Sequence, residues 1–128
     1  MQKIFFILAA VLGGFAVALG AYGAHGGADL IAQNNAFITF DKAVRYQMHH
    51  SLVLFAVVWA LNQWKQQTKL LNIAGFLFLI GILLFSGSLY IITFFGIKMG
   101  YITPIGGIAF VAGWFTLAFA GYKESQNK

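Results

Sequence analysis

The chain has 128 residues, of which 60% are hydrophobic and only 9% are charged, and its mean hydropathy is +0.80. A soluble domain has about 25% charged residues, so this composition excludes a water-soluble monomer and predicts an integral membrane protein with a single domain. The net charge of +5 comes from scattered Lys and Arg residues without a basic helix face, which excludes nucleic-acid binding, and the lack of cysteine excludes disulfides and thiolate metal sites.

Four apolar segments are long enough to cross a membrane, because a hydrocarbon core of about 30 Å needs about 20 helical residues. None of them alternates with the period of two that a barrel strand requires. The sequence therefore predicts an all-α, integral membrane four-helix bundle, with residues 1–128 as one domain. The predicted spans are residues 4–24, 43–61, 70–95 and 102–122.

The first segment begins like a signal peptide, with Lys3 before an apolar run. That run has about 21 residues, which exceeds the roughly 7 to 15 of a signal-peptide core. We therefore interpret it as the first transmembrane helix.

The first and fourth helices carry small residues at four-residue spacing, which let lipid-embedded helices approach closely. We expect these two helices at the centre of the helix contacts, either within one chain or between the chains of an oligomer. The lines of small residues are Ala10, Gly14 and Ala18, then Ala16, Gly20 and Ala24, and finally Ala109, Gly113 and Gly121.

The connection over residues 26–40 is the longest in the chain. Residues 28–33 could form a short interfacial helix, which Asn34 and Asn35 would end. Thr39 is a candidate N-cap for the second span, with Asp41 favourably placed in the first turn near the positive end of the helix dipole.

An even number of spans puts both termini on one side of the membrane. Basic residues are more frequent in cytoplasmic loops, so the five on the terminal side against three on the other predict cytoplasmic termini. The five are Lys3, Lys65, Lys69, Lys123 and Lys128, and the three are Lys42, Arg45 and Lys98.

Most polar residues within the spans lie toward the outer ends of the helices. An arginine inside a span costs a few kcal/mol unless it is paired or reaches the interface, so we expect an ion pair between Arg45 and Asp41 at i, i+4. We expect the polar residues to form one structural or ligand-binding cluster. Its members are His25, Arg45, Tyr46, His50, Ser86, Ser88, Tyr90 and Thr103.

Arg45 has two interpretations. Its aliphatic stem could extend to the headgroup region as an interfacial anchor, or its guanidinium could bind an anionic lipid head bidentately, which a lysine would do less well. Replacing Arg45 with Lys distinguishes the two.

Metal binding and catalysis have little support in this sequence. His49 and His50 are adjacent on a helix, so their side chains diverge by about 100°, and no HExxH pattern is present. Ser86-Gly87-Ser88 lacks the context of a hydrolase nucleophile, and no pair of carboxylates is placed for acid-base chemistry. We expect no metal, no haem or other cofactor, and no enzymatic activity.

Four motifs in order resemble the small bacterial membrane proteins of domain-of-unknown-function family 423, which is related to transmembrane protein 256. They cover nearly the whole chain. The resemblance implies a four-helix protein of the bacterial inner membrane with no assigned reaction. The motifs are Gly20-Ala-Tyr-Gly-Ala-His-Gly26, Val44-Arg-Tyr-Gln-Met-His-His50, Leu84-Phe-Ser-Gly-Ser-Leu-Tyr90, and Ile102-Thr-Pro-Ile-Gly-Gly107 with Gly113-Trp114.

The resemblance also marks signature positions within these motifs. His49 departs from the pattern, since an aromatic residue is more common there, and this weakens a metal site built on two adjacent histidines. It makes His25, Arg45 and His50 the better candidates for a shared cluster. The matching positions are His25, Arg45, Tyr46, Gln47, His50, Ser86, Gly87, Ser88, Tyr90, Thr103, Pro104, Gly106 and Gly107.

Three classes of function follow from the sequence. The first is a structural, accessory or lipid-binding protein that uses the outer cluster, with membrane lipids and a homo-oligomer or larger membrane complex as partners. The second is an oligomeric transporter or channel for a small solute or ion, in which Ser86 and Ser88 would be accessible to water from outside. The third is a membrane enzyme or redox subunit. It would carry a metal or other cofactor, and the sequence gives little reason to expect one.

Overall fold

The computed structural model describes residues 1–127, and this part of the chain is helical with no strand. A 3₁₀ turn at Lys65–Gln67 precedes α4, and a π-helical turn at Ile82–Ser86 joins α4 to α5 in one long rod. The predicted all-α architecture is confirmed. The α-helices are α1 Gln2–Ala24, α2 Ala28–Gln33, α3 Phe37–Gln63, α4 Thr68–Gly81, α5 Gly87–Phe95 and α6 Ile102–Gln126.

Within residues 1–127, three helical segments are long and apolar enough to cross a membrane: Gln2–Ala24, Lys65–Phe95 and Ile102–Gln126. They contain three of the four predicted spans. The remaining helix, α3, has 27 residues and is long enough to cross, but the polar residues near its start lower its hydropathy. The predicted span at residues 43–61 lies inside α3 and stays a prediction.

Helix α3 lies at the centre of the bundle, where it contacts α1, α4, α5 and the π turn. Helix α1 packs mainly on α3, whereas α6 packs mainly on α4 and the π turn. Within one chain, the expectation that α1 and α6 form the centre was therefore wrong, whereas contacts of these helices between the chains of an oligomer stay a prediction. Gly20 of α1 lies against Val44 of α3, and Gly113 of α6 lies against Phe78 of α4, so these small residues do not bring α1 and α6 together.

The two lines of small residues on α1 have different surroundings. Ala16 is buried and Gly20 lies next to Val44 of α3, whereas Ala10, Gly14 and Ala18 are exposed. Of the two lines, only the one that contains Ala16 and Gly20 faces the bundle.

Phenylalanine rings lie over glycines at several close contacts of the core. An added Cβ at Gly75, Gly81 or Gly113 would overlap a ring from the facing helix. Each glycine thus lets a large apolar side chain lie flat against a backbone, which brings helices close in lipid. The rings concerned are Phe5 on Gly75, Phe110 on Gly81 and Phe78 on Gly113.

The π turn packs directly against the backbone of α6. A Cβ at Gly106 would overlap backbone atoms of Leu84 and Phe85. A π turn is wider than an α-helical turn, and it fits against α6 because Gly106 has no side chain at the contact. The contact fixes α6 beside the residues that form the candidate site.

The long connection forms as predicted at α2, which covers Ala28–Gln33 and is followed by Asn35 with a positive φ of 48°. The side-chain amide of Asn34 donates a 2.7 Å hydrogen bond to the carbonyl of Thr93, which ties this connection to α5. Helix α3 begins at Phe37 with Ala36 at the N-cap, so the prediction of Thr39 as N-cap was wrong. The Ala36 carbonyl already accepts the Phe40 N–H, which starts the helix one turn earlier.

Candidate functional site

Gln47 joins three helices through its buried side-chain amide. Its Nε2 donates to the carbonyl of Leu12 on α1 at 2.8 Å, and its Oε1 accepts the hydroxyl of Tyr90 on α5 at 2.7 Å. Both ends of the amide are therefore satisfied, as a polar group in a dry interior requires. The bridge fixes α1 and α5 against α3.

His50 is buried one turn further along α3, and its side chain is held by two hydrogen bonds. Its Nδ1 lies 2.7 Å from the Tyr46 carbonyl, and its Nε2 accepts the indole N–H of Trp114 at 3.2 Å. A carbonyl accepts and an indole N–H donates, so these partners assign the neutral tautomer with the proton on Nδ1. Neither ring nitrogen is left to bind a metal ion in this arrangement.

The imidazole of His50 lies flat on the ring of Phe110, with centroids 3.6 Å apart and planes 11° apart. Tyr46 lies against Phe85 of the π turn with centroids 4.6 Å apart. Together these rings form an aromatic wall between α3, the π turn and α6.

An open groove runs along this wall and has a volume of about 590 Å³. Its lining is mostly apolar, and the nitrogens of His50 are satisfied within the wall. Neighbouring side chains on α6 are exposed to the surroundings of the bundle, which in a membrane protein means lipid. We call this feature the aromatic groove, and its lining residues are Tyr46, His50, Phe85, Pro104, Gly107, Ile108, Phe110, Val111 and Trp114.

The two serines of the third predicted span hold the π turn in place. The hydroxyl of Ser86 donates to the Ala43 carbonyl of α3 at 2.8 Å, and both serines are buried. Ser88 Oγ lies 2.9 Å from the Phe85 carbonyl and 2.5 Å from Thr103 Oγ1 on α6. These contacts link α3, the π turn and α6 behind the aromatic groove.

His25 and Arg45 do not join the buried groups. His25 ends α1 at the surface, and Arg45 is exposed, with its NH2 nitrogen 2.5 Å from Asp41 Oδ2. The expected single polar cluster is thus divided. Arg45 lies on a different side of α3 from Gln47 and His50, because residues two and five positions apart on a helix point in different directions.

Sequence reasoning left out three residues that organise the site. Gln47 was recognised only as a signature position, although its place among the polar residues of α3 marked it as a group needing partners. Trp114 also stood in a matching motif without a predicted role. Phe110 carried no sequence feature that would separate it from the other core phenylalanines.

The residues that the structure describes contain no group of three His, Asp or Glu side chains placed to hold a metal ion. The fold and the site define a class of small helical membrane protein with an apolar, aromatic-walled groove. The chain belongs to the family described as "Protein of unknown function (DUF423)", whose model matches residues 19–107.

Curated relatives agree with this membership over almost the full chain. The chain is 41% identical over 124 residues to a UPF0382 membrane protein of Staphylococcus aureus, covering 95% of this chain and 98% of the relative. It is 40% identical over 127 residues to a UPF0382 membrane protein of Haemophilus influenzae, covering 98% of this chain and 99% of the relative. It is 39% identical over 123 residues to a UPF0382 membrane protein of Bacillus subtilis, covering 95% of this chain and 98% of the relative. No solved structure matches the chain significantly.

Proposed function

We propose that this protein is a non-catalytic membrane component that binds the apolar part of a membrane amphiphile in the aromatic groove. The observation that carries the proposal is the groove of about 590 Å³ between α3, the π turn and α6, which has stacked rings on its wall and exposed apolar side chains at its mouth. A π turn beside it is a further support, since such turns are frequent at functional sites.

The chemistry of the wall favours a hydrocarbon ligand over a polar head. The hydrogen-bonding nitrogens of His50 are already paired, so a polar head entering the groove would find few partners and would lose its own hydration. An acyl or prenyl chain loses no hydrogen bonds there and gains contact with the ring faces.

Native mass spectrometry of the protein extracted with its lipids tests the proposal. Gly107 lines the groove, and its Cβ would approach the Phe85 ring only to 3.8 Å, so Gly107→Leu projects a side chain into the groove without overlap at the backbone. The matched control is Gly14→Leu on the exposed face of α1, where a Cβ would meet nothing within 4 Å.

We expect a defined non-protein mass to stay with the wild type and with Gly14→Leu under gentle activation, and to be lost from Gly107→Leu. Retention of that mass by Gly107→Leu, or no bound mass on the wild type, would contradict the proposal. The same spectra count the chains in the particle and so test the homo-oligomer or membrane complex that we include among the partners.

The alternative of a transporter or channel receives less support. It requires Ser86 and Ser88 to face water, whereas both are buried and bonded to neighbouring helices. A path at an oligomer axis would need a different surface of the chain.

The proposal places the protein in a bacterial inner membrane with its termini in the cytoplasm. The relatives named above come from bacteria, and lysines are concentrated at the end of the bundle where α1 begins and α6 ends. The chain has no cysteine, so single cysteines report topology directly. With a membrane-impermeant maleimide, Lys98→Cys should label in intact spheroplasts and Ser125→Cys only after permeabilisation. The reverse pattern would invert the topology.

A further inference from the structure

A second cavity lies at the end of the bundle where α1 begins and α6 ends. It has a volume of about 660 Å³ and lies between the start of α1, the last turn of α3 and the start of α4. Its walls combine Lys3, Lys65, Thr68 and Asn72 with the apolar side chains of Ile4 and Leu61. A cavity with basic, polar and apolar walls at a helix end suits the interface between headgroups and hydrocarbon.

Both charged side chains in this lining are lysines. Lys65 Nζ donates to the Leu61 carbonyl at 3.2 Å, which holds the ammonium over the end of α3 and leaves two N–H donors. Outside the cavity, Lys69 and Lys123 add positive charge at the same end of the bundle, where Glu124 is the carboxylate that opposes them within the described residues. The cavity therefore attracts an anion.

Asn72 gives the cavity a specific polar group. Its Oδ1 atom is buried and has no hydrogen-bond partner within residues 1–127. A buried carbonyl oxygen is costly to leave unpaired, so a ligand gains affinity if a rotation of the Asn72 side chain brings this oxygen to a donor group in the cavity. The required ligand thus carries a negative charge for the lysines and a hydroxyl donor for Asn72.

An apolar groove lies beside this cavity on the side of the bundle. It has a volume of about 320 Å³, its lining shares Gln2 and Lys3 with that of the cavity, and Phe6, Ile7 and Val58 complete it. The acyl chain of a lipid whose head lies in the cavity can reach this groove past Lys3, which favours a lipid over a free phosphate ester.

We propose that this cavity binds the headgroup of an anionic phospholipid that carries a hydroxyl group, of which phosphatidylglycerol is the simplest. The phosphate lies between Lys3 and Lys65, and the headgroup hydroxyl donates to Asn72 Oδ1. Bound there, the lipid links the ends of α1, α3 and α4. This site is separate from the aromatic groove, and neither proposal depends on the other.

Native mass spectrometry of the full chain in detergent tests the site by titration with dioleoyl lipids. Phosphatidylglycerol should bind more tightly than zwitterionic phosphatidylcholine. The double variant Lys3→Gln/Lys65→Gln should lose about fivefold in affinity for each lysine, or about twenty-five-fold in all. The control is Lys69→Gln/Lys123→Gln, which removes the same charge at the same end but outside the lining, and it should retain most of the affinity. An equal loss in both double variants would overturn the proposal, because it would show a diffuse surface attraction.

A second comparison tests Asn72. Dioleoyl phosphatidylmethanol has the charge of phosphatidylglycerol without its hydroxyls, so the wild type should prefer phosphatidylglycerol and Asn72→Leu should bind the two equally. Absence of the preference in the wild type would overturn the assignment of Asn72. Free glycerol 3-phosphate at the same concentration should not displace the lipid. If it did, the site would be one for soluble phosphate esters, and the lipid proposal would be wrong.

Discussion

Replacing Gly106 with Ala tests the close contact between α6 and the π turn. The added Cβ would lie 2.8 Å from both Leu84 C and Phe85 Cα, and it would also overlap the Phe85 nitrogen. All three are backbone atoms, so no side-chain rotation relieves the overlap. Helix α6 must therefore move away from the π turn, and the hydrogen bond between Ser88 and Thr103 weakens with it.

The expected loss combines two opposing effects. Overpacking a well-packed contact costs about 1–3 kcal/mol, and backbone overlap belongs to the upper part of that range. Alanine gains about 1 kcal/mol over glycine in helix propensity. We expect Gly106→Ala to lower the free energy of unfolding by about 1–2 kcal/mol.

The adjacent Gly107 provides a matched control. Its Cβ would meet the Phe85 ring at 3.8 Å, which is an ordinary contact, so Gly107→Ala should be neutral or stabilising by up to about 1 kcal/mol. Unfolding by SDS in mixed micelles, followed by tryptophan fluorescence, measures both variants. If Gly106→Ala is as stable as Gly107→Ala, the close backbone contact does not exist and the reasoning fails.

Three further predictions concern hydrogen bonds and the surface ion pair. Tyr90→Phe leaves Gln47 Oε1 unpaired and should lower the free energy of unfolding by about 1–2 kcal/mol in the same assay. The double variant Tyr90→Phe/Gln47→Leu should lose less than the sum of the two single variants, and full additivity would contradict the bridge. Trp114→Phe removes the indole N–H that donates to His50 Nε2, and it should lower the free energy of unfolding by about 0.6 kcal/mol. It should also shift the ¹⁵N resonance of His50 Nε2, and an unchanged resonance would argue against this hydrogen bond. Arg45→Ala removes an exposed ion pair and should change stability by less than about 0.5 kcal/mol, so a loss above 2 kcal/mol would place Arg45 inside the bundle.

Features that depend on residues close together in the sequence were predictable. In lipid, backbone groups must be satisfied within the segment, so a long apolar run is helical whatever surrounds it. The short helix at Ala28–Gln33 and its end before Asn35 follow from local propensity. The ion pair between Asp41 and Arg45 joins residues four positions apart, so one turn of helix is enough to bring them together.

Tertiary structure decided how the polar residues are distributed. The sequence placed them at one depth, which suggested one cluster, but depth does not determine how each helix is rotated about its axis. Packing of side chains against the neighbouring helices sets that rotation. It turns Gln47 toward α1 and α5, His50 toward α6, and Arg45 to the surface.

The aromatic groove and the basic cavity likewise exist only in the folded bundle. Trp114 meets His50 across 64 positions of the chain, and Ser86 meets Ala43 across 43. The order of amino acids is enough to identify a helical membrane protein and the polar residues within its helices. The partners of those residues, and the two cavities, depend on side-chain packing between helices that are distant in sequence, which no local periodicity encodes.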